Sequence, residues 1–463
     1  MVRLFNVYYP KRTLVLLVGE TLIVCASFLA AALVRFGRDF ALVLNYEIGA
    51  GRIALVSGVC LLCLYYFDLY DTGIITNAFE VLTRLIQVLG STCLITAFLY
   101  YVFPLVRLEL GFLALGLGFI GICLAVSRKL FFALNQSMLL ADRALILGGG
   151  PLALSIAKEI HKRPELGVRL VGCVGAAAIT PSSGNDLPHL GEVEELAGVV
   201  EQSKIDQVIV AMTERRGRLP VESLIQLKAK GVRIENGEDF YENLAGKVPV
   251  DSFRLSWLLY SPGPTVSKGV LFYKRIASVV FSAVGLLLAL PFMALIALAI
   301  KLDSPGPILF RQERVGKDGK TFTLYKFRSM HVGNESEGDY KPAQKNDPRI
   351  TRVGRWLRRG RLDELPQLYN ILEGDIYFIG PRPFVPNQEK ELVEQIPFYR
   401  QRWIVRPGAT GWAQINQGYC ATLEDNREKL AYDLFYIKNM SIGLDLMIAF
   451  RTVKVLLLGR GGR

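Results

Sequence analysis

The chain has 463 residues, of which 51% are hydrophobic and only 21% charged, and its mean hydropathy is positive at +0.31. Positive hydropathy over this length excludes a disordered chain and argues against an all-soluble protein, because the apolar residues must be gathered into segments. The net charge of +12 points to anionic partners, among which nucleic acid, lipid headgroups and phosphorylated substrates are the classes to weigh.

Four apolar segments of about 20 residues lie near 14–34, 51–70, 85–103 and 108–127, each long enough to cross ~30 Å of hydrocarbon as a helix. The first has no small-residue cleavage site and reads as a span rather than a cleaved signal. Lys11 and Arg12 precede the first segment, and Arg128, Lys129 and Arg143 follow the fourth. By the positive-inside rule both ends lie in the cytoplasm. Residues 1–130 are thus expected to form a four-helix transmembrane bundle. Five of the seven cysteines fall in these segments, and the Cys60/Cys63 spacing there reads as helix packing rather than a redox or zinc site.

Residues 140–260 open with Arg143-Ala-Leu-Ile-Leu-Gly-Gly-Gly-Pro-Leu-Ala153. This is a strand, a glycine turn and a helix, the start of a Rossmann-like α/β domain. Gly148 and Gly150 with Ala153 fit G-x-G-x-x-A, a loop whose N–H groups can approach a nucleotide phosphate. Leu170–Val174 and Gln207–Ala211 read as buried strands, with a helix over Glu192–Gln202. No acidic residue ends the second strand to hold a ribose hydroxyl. The domain is therefore expected to pack, to form a homodimer or to sense a ligand rather than to use NAD.

Residues 261–273, beginning Ser261-Pro-Gly-Pro264, read as a linker. Ile276–Ile300 then carries no charge and is interrupted by Pro291. Both flanks are basic, which favours one side of the membrane for both ends. The proline supplies a break, so a re-entrant membrane helix over 274–301 is expected, against a fifth span as the alternative. Basic charge collects beyond it, with 15 Lys/Arg against 7 Asp/Glu in residues 301–361. No helix-turn-helix or RNA-binding pattern accompanies that charge, so nucleic acid is set aside in favour of the bilayer and a phosphorylated substrate. Ile442–Leu458 suits an amphipathic surface helix or one packed on the core.

Candidate chemistry is densest in Arg358-Arg-Gly-Arg-Leu-Asp-Glu-Leu-Pro-Gln-Leu-Tyr-Asn-Ile-Leu-Glu-Gly-Asp375 and Ile379-Gly-Pro-Arg-Pro383. Asp363 and Glu364 stand at a helix start, where a carboxylate either caps the helix or works on a phosphate. In the second case arginines clamp the phosphate, one carboxylate attacks phosphorus and the other holds Mg2+.

The runs Leu362-Asp-Glu-Leu-Pro-Gln367, Asn370, Gly374-Asp375 and Gly380-Pro-Arg-Pro383 resemble the bacterial sugar transferase signature. So do Lys326-Phe-Arg-Ser-Met330, Asn346-Asp-Pro-Arg349 and Arg406-Pro-Gly-Ala-Thr-Gly-Trp-Ala-Gln414. These are the monotopic phosphoglycosyl transferases, or polyprenyl-phosphate hexose-1-phosphate transferases, and the likeness covers about 268–463. The order of bundle, Rossmann-like domain and mixed α/β catalytic domain (302–463) resembles the large members that start exopolysaccharide or O-antigen units. The opening Leu4-Phe-Asn and Tyr9-Pro-Lys-Arg-Thr13 is similar to the exosortase-associated branch.

The resemblance implies a ping-pong reaction at the cytoplasmic face of the bacterial inner membrane. Asp363 would attack a UDP-sugar, expel UMP and hold the sugar phosphate until undecaprenyl phosphate takes it. UDP-glucose and UDP-galactose are the donors the family suggests. Glu364 matches the Mg2+ ligand, Arg358 and Arg382 match phosphate or nucleotide binders, and Arg328 and Arg406 are further substrate-binding candidates. Pro291 matches the proline that breaks the re-entrant helix. Three departures stand out: Ser278 replaces the carboxylate of a Lys-Arg-x-x-Asp start, Arg361 replaces a Ser, and Ile376-Tyr377 replaces Met-Ser. The first calls a helix-anchoring ion pair into question. Two rival functions are a membrane-anchored nucleotide-sugar dehydratase and a non-catalytic scaffold or nucleotide sensor. None of the 19 tyrosines has a lysine four residues on, which weighs against the dehydratase, and intact Asp363, Glu364 and Arg382 weigh against the scaffold.

Overall fold

The structure is a computed structural model and describes residues 2–4, 6–40, 49–70, 78–136, 141–163, 166–175, 187–212, 218–250, 267–332, 347–418 and 422–457. The start of the expected linker (261–266), Asn346 and Cys420 lie outside the described residues. The chain divides into two units, Met1–Arg3 with Tyr8–Phe240 and Leu4–Val7 with Tyr241–Arg463.

After a short β-hairpin of β1 (Val2–Leu4) and β2 (Val7–Tyr9), the first unit carries four apolar helices. They are α1 (Lys11–Phe36), α2 (Gly49–Tyr66), α3 (Ala78–Val102) and α4 (Leu110–Gln136). All four are long and apolar enough to cross a membrane. Val24, Phe28, Val56, Leu64, Leu85, Phe112 and Ile120 interlock at their centre, while Val15, Leu22, Leu94 and Ile122 face outward, as lipid contact requires. Cys60 and Cys63 are buried free thiols within this packing. Arg128, counted in the sequence as a cytoplasmic flanking charge, is instead 1% exposed and lies inside the bundle. Its Nε is 2.5 Å from Oε1 of an equally buried Glu20, and it also donates to the Leu69 carbonyl. A guanidinium at this depth persists because a carboxylate and a carbonyl replace its water.

The same unit holds a four-stranded parallel sheet in the order β4-β3-β5-β6. Its strands are β3 (Asp142–Leu147), β4 (Val168–Val174), β5 (Gln207–Val210) and β6 (Arg233–Asn236). Helices α5 (Pro151–Lys162), α6 (Leu196–Gln202), α7 (Val221–Ala229) and α8 (Gly237–Ala245) alternate with them, although α8 runs across the division between the units. Ala144–Leu147 are fully buried, the mark of a central parallel strand. Three strands and the helix α5 match the sequence reading closely. The expected helix from Glu192 starts later, after a 3-10 turn closed by a Glu192/Glu195 capping box. Gly148 and Gly150 both have φ near +100, and a side chain at 148 would strike the Met212 backbone.

The second unit begins with α9 (Lys268–Asp303), a 36-residue helix with Pro291 inside it. The sequence placed a linker to 273 and a break at Pro291; the helix starts earlier and continues through the proline. Loss of one hydrogen bond and a clash with the preceding turn bends a helix more readily than it ends one. The middle of α9 is largely exposed and apolar, whereas its ends are anchored. Arg275 donates to the carbonyls of Ile371, Leu372 and Glu373. At the other end Ile300 packs with Phe327 and Leu357, and Asp303 accepts from the Val353 N–H at 3.0 Å.

An antiparallel hairpin follows, β7 (Leu309–Val315) with β8 (Thr321–Phe327). Next come α10 (Arg352–Arg359), a 3-10 turn over Leu362–Glu364, α11 (Gln367–Glu373) and β9 (Tyr377–Ile379). The unit closes with α12 (Pro386–Gln395), a 3-10 segment over Tyr399–Ile404, β10 (Gly408–Thr410), α13 (Trp412–Asn416), α14 (Leu423–Lys438) and α15 (Ile442–Leu457). β9 and β10 pair in parallel, so closely that a side chain on Gly408 would meet the Gly380 nitrogen. The glycines in Gly380-Pro-Arg-Pro and Arg406-Pro-Gly serve this approach. On α15, Leu444 and Ile448 are buried, so the helix packs on the core, with Leu446, Phe450 and Val453 outward.

Candidate active site

Asp363 and Glu364 occupy the 3-10 turn between α10 and α11. The chain enters it through Arg361 in a left-handed conformation, φ 52, which turns both carboxylates toward β8. Asn370 fixes that strand. Its Oδ1 accepts from the Tyr325 N–H at 3.1 Å, while its Nδ2 donates to the Thr323 carbonyl at 2.7 Å and to Asp375 at 3.0 Å. Asn370 and Asp375 therefore set the hairpin register against α11, and with it the position of Lys326.

Lys326 Nζ donates to Glu364 Oε1 at 3.0 Å. Arg382 Nη2 lies 3.6 Å from the same oxygen, and Arg361 Nη1 lies 3.9 Å from Oε2. Burial alone would raise the Glu364 carboxyl, but Lys326, Arg382 and Arg361 outweigh it and hold the group at about 2. Asp363, 8% exposed, goes the other way. Burial lifts its carboxyl above the ordinary carboxylate range, the Glu364 charge adds to the lift, and Lys326 and Arg358 oppose it. Lys326 is itself lowered, by burial first and by Arg382, against the pull of Glu364 and Asp363. Adjacent carboxylates are thus divided into a firmly charged one and a less acidic one. Four cations, Lys326, Arg358, Arg361 and Arg382, stand around two carboxylates. The excess positive charge suits a polyanion such as a diphosphate.

Of the sequence candidates, Asp363, Glu364, Arg358 and Arg382 converge here. Arg328 does not. It is buried and donates to the carbonyls of Pro305, Ser304 and Ile300, closing the C-terminus of α9, where free carbonyls attract a cation. Arg406 lies over the Tyr377 ring at 5.4 Å and donates to its hydroxyl at 3.3 Å, making no ion pair with Asp363 or Glu364 among the described residues. Lys326 and Arg361 were missed. Lys326 stood in a quoted motif, but only the register of β8 shows that it, rather than Arg328, meets Glu364. Gly148 and Gly150 form the β3–α5 turn of the first unit.

No cluster of three or more His, Cys, Asp or Glu suited to a metal occurs among the described residues. Asp363 and Glu364 are nonetheless hard oxygen donors. Mg2+ is usually held by one or two carboxylates with phosphates and water completing the shell, so the pair fits that ion alongside a diphosphate.

Comparison with known proteins adds two family matches: the bacterial sugar transferase model over residues 270–459 and a CoA-binding domain model over 65–235. Among curated relatives, a UDP-N-acetylgalactosamine-undecaprenyl-phosphate N-acetylgalactosaminephosphotransferase of Aeromonas hydrophila is 44% identical over 225 residues, which are 48% of this chain and 52% of that protein. The chain thus matches about half the length of that relative. A UDP-glucose:undecaprenyl-phosphate glucose-1-phosphate transferase of Xanthomonas campestris pv. campestris aligns over 98% of this chain and 96% of its own at 29% identity. One of the same printed name from Caulobacter vibrioides is 45% identical over 42% of this chain and 73% of its own.

Proposed function

Since this chain belongs to the bacterial sugar transferase family, we propose that it transfers a sugar-1-phosphate from a UDP-sugar to undecaprenyl phosphate and releases UMP. The observation that carries the reading is the pair of a buried Asp363 and a half-buried Glu364 ringed by Lys326, Arg358, Arg361 and Arg382. An Asp363 oxygen attacks the β-phosphorus, the bond from that phosphorus to the bridging oxygen breaks, and UMP departs with the electron pair. The sugar phosphate is left as an acyl phosphate on Asp363. An oxygen of undecaprenyl phosphate then attacks the same phosphorus and returns the carboxylate. The cations offset charge gathering on the phosphoryl oxygens and the departing UMP. Glu364 would hold Mg2+ together with the diphosphate, and the ion would supply further charge neutralisation when bound.

The acceptor is a lipid, and several features support a site at the cytoplasmic leaflet of the inner membrane. Both ends of α9 are anchored to elements of one catalytic unit. In this reading the unit lies on one side of the bilayer, and the apolar middle of α9 would bend at Pro291, enter one leaflet and return. The outer face of α10 exposes Arg352, Arg355, Trp356 and Arg359, a combination suited to anionic headgroups.

The test is UMP release in nanodiscs across a panel of UDP-sugars including glucose, galactose and N-acetylgalactosamine, with Mg2+ and with or without undecaprenyl phosphate. One or two donors should give release, and Asp363→Asn should abolish both release and covalent labelling by the donor. Turnover near normal in Asp363→Asn would refute the nucleophile. Silence across the panel in folded protein would refute the reaction.

A further inference from the structure

The position four residues after Lys274, where a helix would place a counter-ion on the same face, holds Ser278. Lys274 is paired all the same. Its Nζ donates to Asp445 Oδ2 at 2.6 Å, to the Tyr436 hydroxyl at 2.6 Å and to the Ile379 carbonyl at 3.0 Å. Those contacts match the three protons of an ammonium. Tyr436 in turn lies 2.8 Å from Asp445 Oδ1 and 3.2 Å from the Ile379 carbonyl. The ammonium also sits 5.3 Å from the Tyr377 ring centre. Asp445 comes from α15, Tyr436 from α14 and Lys274 from α9, and the carbonyl that Lys274 and Tyr436 share as acceptor belongs to the last residue of β9.

We propose that Lys274, Asp445 and Tyr436 are positioning residues for Arg382. From Ile379 the chain runs Gly380-Pro381-Arg382-Pro383, where a proline on each side of the arginine limits its backbone freedom. The far side of the turn is held by Arg402, which donates to the Arg382 carbonyl at 2.8 Å and to Asp433 at 2.9 Å. Arg382 is thus presented to Glu364 by a backbone pinned before and after it. Burying an ammonium and a carboxylate together contributes little net stability, whereas fixing a guanidinium against a phosphate is sensitive to displacements of about 1 Å, which can cost up to about a hundredfold in rate.

The inference rests on the transferase reading and is tested in the same assay. Asp445→Asn and the milder Tyr436→Phe are each made alone and combined with Arg382→Lys, and kcat/KM for UDP-sugar and Tm are measured. Each single variant should lower kcat/KM, by about tenfold or more for Asp445→Asn. Neither should add a further loss once Arg382 is replaced. A purely structural role would instead give losses that multiply across the two sites. Multiplying losses, or wild-type kcat/KM in both single variants, would overturn the inference while leaving the transferase reading intact. If Asp445→Asn does not fold, Tyr436→Phe, which removes a single oxygen, decides the matter by the same two criteria. A wild-type protein that releases no UMP sinks both readings.

Discussion

At the scale of single residues, the division of labour between Asp363 and Glu364 follows from who surrounds each. Glu364, at about 2, stays charged through the working pH range. Asp363, raised by burial and by its neighbour, must lose its proton to attack. Activity should therefore fall as pH drops through the raised value, giving kcat/KM an acidic limb. Arg358 is one of the two cations that hold that value down, so Arg358→Gln should move the acidic limb to higher pH as well as reduce the rate. A pH–rate profile of the two proteins checks it, and an unmoved limb would remove Arg358 from the vicinity of the nucleophile. The convergence of Asp363, Glu364 and Arg382 was expected from the motifs they stand in. Lys326 was not: the choice between it and Arg328 depends on a register set by Asn370, on another element. Asp445 on α15 has its partner Lys274 171 residues earlier, a pairing no local pattern encodes.

At the scale of elements, the apolar runs foretold α1–α4 and the charge-free stretch within α9, since continuous apolar length is visible without any tertiary contact. Where elements end is decided by long-range partners. Arg328 illustrates this by closing α9 from the end of β8, with three carbonyls and the Ser304 hydroxyl as its acceptors. Arg328→Met would strip those buried carbonyls of their donor, an expected loss of about 2–3 kcal/mol. The measurement is a thermal melt alongside turnover per folded molecule. Tm should fall while kcat stays close to wild type at a temperature where the variant is folded. A lost kcat at unchanged Tm would return Arg328 to the substrate.

At the scale of the whole molecule, the apolar helices and the α/β domain were legible in chain order from their hydrophobic patterns, whereas the region after residue 268 was read from its motifs and not from any period. The disposition of α9 across the bilayer is open to direct measurement. Single cysteines at positions 268 and 305, treated with an impermeant thiol reagent in oriented membranes, should both label from the cytoplasmic side. Labelling from opposite sides would make α9 a full span. The buried pair of Glu20 and Arg128 bears on how such a protein is made. The carboxylate enters the membrane with the first helix, and its countercharge is synthesised 108 residues later. Until then the side-chain partner on offer to that carboxylate is the Tyr70 hydroxyl, just beyond the second helix, and an acidic group within hydrocarbon costs roughly 3 kcal/mol. The contact that ties the first helix to the fourth can thus form only after residue 128 is made, and a nascent chain stopped short of it lacks the buried guanidinium that completes the pair.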